Sequence, residues 1–283
     1  MLDKGGLRGL TDLTFFVGIP SLLFGSLVSS QAPSGLGIAV LFMVAVLAVF
    51  AAGVVLALVA LRFSLSQATL MGMNGCYGNT ALLGLPLVDA AFGPPGLAVL
   101  LPVIAVHSLV LVPLASVMIE LENASRADLL GSLRRTGAGV VRSPVIAALV
   151  LAACWRWLDV PVPVPLHRLL TLLGGMGAPL ALISLGATLP DFASEGSVRE
   201  TGFTAVLKLL VLPGLVWVLC MVFRLPPLET AVAVTTAGAP TGATAFFLAR
   251  RQGTHTAAAA GTVVVTTVLS VLTLSVILSA LRP

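Results

Sequence analysis

Two short stretches put hydrogen-bonding side chains where long apolar runs would otherwise continue. Met73 to Asp89 reads MNGCYGNTALLGLPLVD, and Thr236 to Leu248 reads TAGAPTGATAFFL. In the first, Asn74, Tyr77, Asn79 and Thr80 supply donors and acceptors, while Gly72, Gly75, Gly78 and Gly84 permit an unwound or closely packed backbone. Pro86 lacks a backbone N–H and frees a carbonyl in the turn before it. In the second, Gly238 and Pro240 make the break, with Thr235, Thr236, Thr241, Gly242 and Thr244 around it. The chemistry open to such residues is non-covalent: hydrogen bonding to a small solute, assisted by partial charge at helix ends. If two such helices cross at their breaks, their half-helix amino-terminal ends meet near the bilayer centre, where unpaired N–H groups suit an anion such as a carboxylate. Close helix packing alone also uses small residues. Two breaks at corresponding positions favour a site.

Intramembrane ionisable groups are few, and each is costly enough to need a reason. His107, in HSLVLVP, either protonates or hydrogen-bonds a solute, or is a neutral histidine bonded to a neighbouring helix. Lys208 is either a counter-charge to an anion or a side chain that snorkels to the interface. Asp89, beside Phe92-Gly93-Pro94-Pro95, reads as interfacial, with proton or cation coupling as its other role. Enzyme readings do poorly. No G-x-S-x-G, H-E-x-x-H or G-x-x-x-x-G-K-[ST] pattern occurs, and His167 and His255 have no metal-ligand partners at helical spacing. No cofactor or metal is expected.

The elements that carry these residues follow from composition. The chain has 283 residues, 58% hydrophobic and only 9% charged, with mean hydropathy +1.10; soluble domains carry about 25% charge. It reads as an all-α polytopic membrane protein. The net charge of +4 comes from scattered basic residues that form no patch, which speaks against a nucleic-acid partner. Cys76, Cys154 and Cys220 lie in apolar segments without metal-like spacing and read as small packing residues. Apolar segments of about 20 residues fall at 10–30, 36–60, 66–92, 96–118, 142–158, 166–189, 202–223, 227–250 and 256–281, giving nine expected spans. A central loop at 119–141 divides a first group, 1–118, from a second, 142–283. Placing that loop inside puts ten basic residues at cytoplasmic ends against four outside, with Lys208 within a span. The expected arrangement is an inner or plasma membrane protein with a cytoplasmic amino terminus and an external carboxyl terminus.

The halves resemble each other. Gly18-Ile19-Pro20 lies over Gly177-Ala178-Pro179, and Gly78-Asn79-Thr80 over Pro240-Thr241-Gly242. Pro20, Pro86, Pro179 and Pro240 are the expected helix breaks. The same offset applied to 142–158 asks for a partner before residue 1, so the second half has five helices and the first lacks its opening one. A five-helix unit crosses the membrane an odd number of times, so the two copies are expected to be inverted repeats, a plan common among secondary transporters.

The runs YGNTALLGLPLVDAAFG, SPVIAALVLAACW, GAPLALISLGATLPDF and GAPTGATAFFLARRQG, in that order, resemble the auxin efflux carrier family, whose bacterial members include malonate and other organic-acid permeases. The resemblance implies two inverted five-helix repeats, similar to bile acid/sodium symporters, with two broken crossover helices and an elevator-like motion of a transport domain against a scaffold. It implies a small organic anion as substrate, with Asn79 contacting its carboxylate, Pro240 as the second break, and a homodimer. Gly78 stands where the plant carriers have proline, Thr241 where they have glutamine, and His107 where they have another glutamine. The readings that compete with an anion carrier are a sodium-coupled symporter and a non-transporting membrane sensor or partner subunit.

Overall fold

A computed structural model describes residues 4–29, 35–123, 144–176, 179–180, 183 and 198–281. Most of the expected central loop lies outside the described residues, as does the sequence around Pro179. The described residues are helical, with no strand beyond one isolated bridge. In chain order the helices are α1 (Lys4–Leu13), α2 (Ile19–Ser29), α3 (Leu36–Ala60), α4 (Leu65–Cys76), α5 (Leu85–Asn123), α6 (Pro144–Trp157), α7 (Val164–Gly175), α8 (Val198–Val206), α9 (Leu212–Val222), α10 (Pro227–Gly238), α11 (Ala243–Gln252) and α12 (Thr256–Leu281).

Three wide π-helical turns, Thr14–Gly18, Thr80–Gly84 and Leu207–Val211, continue directly into α2, α5 and α9. Each ends two residues before a proline: Pro20, Pro86 or Pro213. A proline cannot donate to the preceding turn and its ring crowds that turn's carbonyl, so widening the helix there relieves both problems. Pro20 is therefore a distortion in a continuous helical path, not an interruption. The break expected between the third and fourth segments falls at Gly93, whose φ of 63° and ψ of −161° interrupt α5. That backbone region is essentially reserved for glycine.

Among the described residues, four helical stretches are long and apolar enough to cross a membrane: Gly37–Ala60, Leu87–Glu122, Val198–Val222 and Thr256–Leu281. The 25 residues of α3 span about 37 Å at about 1.5 Å per residue, enough for a hydrocarbon core of about 30 Å. The segments expected at 66–92 and 227–250 are each divided in two. Helix α4 begins with a capping box, in which Ser64 Oγ accepts from the Gln67 amide at 3.3 Å and Gln67 Oε1 accepts from the Ser64 amide at 3.0 Å. The Glu122 carboxylate, at the far end of α5, accepts from the Ser66 amide in the same first turn. Two orphan donors of the helix start are thus met inside the protein.

Packing sorts the helices into two groups. In one, α2 lies against α6 and α7. Backbones approach closely there: a Cβ added at Gly174 would lie 2.9 Å from Leu22 Cα, and Arg156 Nη1 donates to Leu27 O at 3.1 Å in the last turn of α2. In the other group α3 packs on α4, α5 and α9, and α10 packs on α5, α9 and α12. Its apolar core includes Phe42, Val46, Phe50, Met71, Met73, Leu100, Ile104, Val216 and Phe246. The groups touch chiefly through α5, against α2 and α6, and through the turn Thr80–Gly84 against α2. Neither group coincides with a half of the chain.

The α3–α4 contact depends on small residues, since a Cβ at Gly72 would lie 2.8 Å from Val54 Cγ2 and 2.9 Å from Phe50 O. A Gly72→Val substitution forces α3 and α4 apart. The expected cost is about 1–3 kcal/mol, the range for overpacking, seen as a lower melting temperature of the purified protein in detergent.

Candidate functional site

The two broken helices meet at their breaks. Helix α4 ends at Cys76, and Tyr77, Gly78 and Asn79 are non-helical before the turn that starts at Thr80; α10 ends at Gly238, and Ala239 to Gly242 are non-helical before α11. The Asn79 amide donates to Pro240 O at 2.7 Å and the Gly242 amide donates to Tyr77 O at 2.8 Å, with Gly78 opposite Thr241 in an antiparallel bridge. Unpaired backbone groups are intolerable in hydrocarbon; each break supplies partners to the other. Gly242 is placed by this close approach: a Cβ there would lie 3.0 Å from Tyr77 Cδ1 and 3.1 Å from Gly78 O.

The second break is longer by one residue. The helix ends Cys76 and Gly238 are 162 apart, whereas the restarts Thr80 and Ala243 are 163 apart. Asn79 therefore faces Pro240, and Thr241 faces Gly78. Because the pairing is antiparallel, the amino-terminal end at Thr80 lies beside the carboxyl-terminal end of α10, and that at Ala243 beside the end of α4. Each positive helix end thus has a negative one alongside, where a simple meeting of two amino-terminal ends was expected. Neither restart is capped by a side chain, so the first backbone donors of each half-helix have no side-chain acceptor.

Thr241 is fully buried and its hydroxyl is committed. Its Oγ1 donates to Asn74 O at 2.8 Å, while its amide donates to Thr266 Oγ1 at 3.0 Å. Thr241 thereby ties the second break to α4 and α12; it does not present a spare proton as an amide clamp would. Behind it, Thr266 Oγ1 donates to Thr262 O at 2.7 Å, and Thr262 Oγ1 lies 2.8 Å from Thr204 Oγ1. This buried threonine column was not singled out from sequence. Its signal was the four-residue spacing of Thr262 and Thr266, which sets both on one helix face.

Lys208, in the π turn between α8 and α9, is fully buried, and its Nζ donates to Ala237 O at 2.5 Å. It does not reach an interface. His107 is buried against Tyr77, ring centroids 4.7 Å apart, and against Phe42 at 5.7 Å. Both ring nitrogens of His107, both side-chain polar atoms of Asn74 and the Thr235 hydroxyl are buried without a hydrogen-bonding partner among the described residues. Such groups cost about 1–3 kcal/mol each, and three of them close to one crossover mark a place built to meet something polar. Asn79 is half-buried and Thr80 buried at the start of the π turn. The structure thus brings Asn74, Tyr77, Gly78, Asn79, Thr80, His107, Lys208, Pro240, Thr241 and Gly242 together.

Asp89 is exposed on α5 and takes no part. Pro86 follows the first break by a turn and widens it, whereas Pro20 lies in the other packing group. Pro179 is exposed. His255 Nδ1 lies 2.6 Å from Glu200 Oε1 and packs edge-on against Phe63, a contact between the α11–α12 link and the start of α8 that spacing gave no means to foresee. Among the described residues no cluster of three or more metal-ligating side chains occurs.

A helical membrane protein with paired broken helices is the architecture of a transporter. The sequence profile of the family described as "Membrane transport protein" matches residues 1–137 and 129–278. The chain belongs to this family, the auxin efflux carriers that its motifs resemble, and is a transport protein and not an enzyme. It is 27% identical over 237 residues to a protein of Rhizobium meliloti (strain 1021) named "Putative malonate transporter", covering 78% of this chain and 69% of that one.

The hydroxyl of Thr241 separates two substitutions of similar size. Thr241→Val leaves Asn74 O without its partner and is expected to lose about 1–3 kcal/mol, with lower uptake. Thr241→Ser keeps the bond and is expected to stay within about 1 kcal/mol of the parent in thermal unfolding.

Proposed function

We propose that this protein is a secondary carrier that moves a small organic anion across the membrane by alternating access, with the crossover as its binding site. The observation that carries this reading is the antiparallel pairing of the two broken helices, Asn79 to Pro240 and Gly242 to Tyr77. It holds irregular backbone at the middle of the helical bundle, where polar side chains without partners gather. The uncapped restarts at Thr80 and Ala243 offer backbone N–H groups to a carboxylate. Asn79, half-buried at the first restart, contacts that carboxylate, and Asn74 and His107 meet the remainder of the solute. Thr241 positions the second break. The name of the rhizobial relative favours a short dicarboxylate, and malonate is the first candidate.

The two packing groups suggest the motion. One, built on α2, α6 and α7, serves as the scaffold; the other, carrying both breaks, moves against it in an elevator-like way. Among the described residues the contacts between them are sparse, which supports this division. In this reading nine spans form two inverted repeats, and the amino terminus and central loop face the cytoplasm.

Uptake of labelled malonate into proteoliposomes tests the site. Asn79→Ala is expected to abolish saturable uptake while the protein stays folded, and malonate is expected to raise the melting temperature of the parent alone, as a ligand specific for the folded state must. Unchanged saturable uptake by Asn79→Ala removes that residue from the site.

A further inference from the structure

The last turn of a helix leaves carbonyl oxygens unpaired and carries partial negative charge. Where such an end lies inside a membrane carrier it is a place for a coupling cation. In this protein one such end already holds a lysine side chain of the chain's own. Lys208 is 0% exposed, and its Nζ donates at 2.5 Å to Ala237 O, in the last turn of α10 before the break. From the other side the first break closes on the same side chain: a Cβ built at Gly78 would lie 3.4 Å from both Cε and Nζ of Lys208. The Lys208 amino group therefore sits between the two breaks.

No carboxylate balances it. Among the described residues no acidic side chain lies within ion-pairing distance of Lys208. The sequence agrees, for no Asp or Glu occurs in 35–65, 66–88, 90–119, 201–228 or 230–283, which include nearly all of the helices packed around the crossover. Carbonyl oxygens alone hold a free ion only after its water has been stripped, whereas a lysine brought in on its own helix arrives without that cost at each cycle.

We propose that Lys208 is a tethered cation, its ammonium occupying the position beside the α10 carboxyl-terminal end that a coupling metal ion would otherwise take. Binding and uptake are then indifferent to which alkali cation is present, and removing the ammonium opens a site for a small free cation. The consequence for uptake rests on the carrier reading above; the consequence for stability does not.

The test uses the purified full chain. Thermal unfolding of the parent is expected to be the same in sodium, potassium and choline chloride. Lys208→Ala is expected to melt lower in choline chloride and to recover, saturably, with sodium or ethylammonium chloride, since choline is too large to follow. Lys208→Ser carries the same comparison should the alanine variant not yield folded protein, and Lys208→Met, which fills the space without charge, is expected to melt lower and respond to neither cation. A parent stabilised by sodium over choline overturns the proposal, as does a small-residue variant that sodium and ethylammonium leave unmoved. In proteoliposomes, malonate uptake by the parent is expected to be equal with sodium or choline outside. Cation rescue of the variants without malonate uptake by any form would keep the tethered cation and discard the carrier reading. Sodium-driven malonate uptake by the parent would do the reverse.

Discussion

Two backbone hydrogen bonds, one in each direction between the interrupted helices, are the interaction on which the rest of the structure depends. Seven residues, Tyr77 to Asn79 and Ala239 to Gly242, leave helical geometry inside an apolar bundle. Their amides and carbonyls have no recourse to water there. The bonds Asn79 to Pro240 and Gly242 to Tyr77 make each irregular stretch the partner of the other. Everything close by serves that contact: Gly242 admits the approach, Thr241 and Thr266 take up the next polar groups, and Lys208 meets the carbonyl of Ala237.

Helical order around the breaks is maintained by a different device. Long helices rich in proline survive because the freed groups are absorbed locally, by π turns ahead of Pro20, Pro86 and Pro213 and by the glycine conformation at Gly93. Hydroxyls complete the accounting. Thr14, Thr69, Thr236 and Thr262 each donate to the carbonyl four residues back. Polar residues in these apolar helices are therefore largely satisfied within a turn; among the described residues the exceptions are Asn74, His107 and Thr235 near the crossover and Ser66 at the start of α4.

Much of this was legible in the chain. An apolar run interrupted by glycine and proline has few physical solutions, so both breaks, the helical class and the kink at Gly93 follow from residue types. The facing of a single side chain does not. Lys208 is a turn and a half inside its segment, within reach of an interface or of the core, and only the placement of α10 decides between them. The pairing within the crossover is not legible for a similar reason: which residues of the two unwound stretches face each other, Asn79 with Pro240 and Gly78 with Thr241, is marked by no periodicity. Thr241 looked like a donor to a solute because its type was visible and its contact with Asn74, 167 residues away in sequence, was not.

The division of the helices into two groups that each draw on both halves of the chain bears on how the protein is made. When the first half has been synthesised and inserted, α2 lacks α6 and α7, and the amide of Asn79 and carbonyl of Tyr77 lack partners that come about 160 residues later. The nascent first half must wait in the membrane with its interrupted helix unpaired, held by α3 and α5 alone. Assembly is therefore a late event, completed only once Pro240 and Gly242 have entered the membrane.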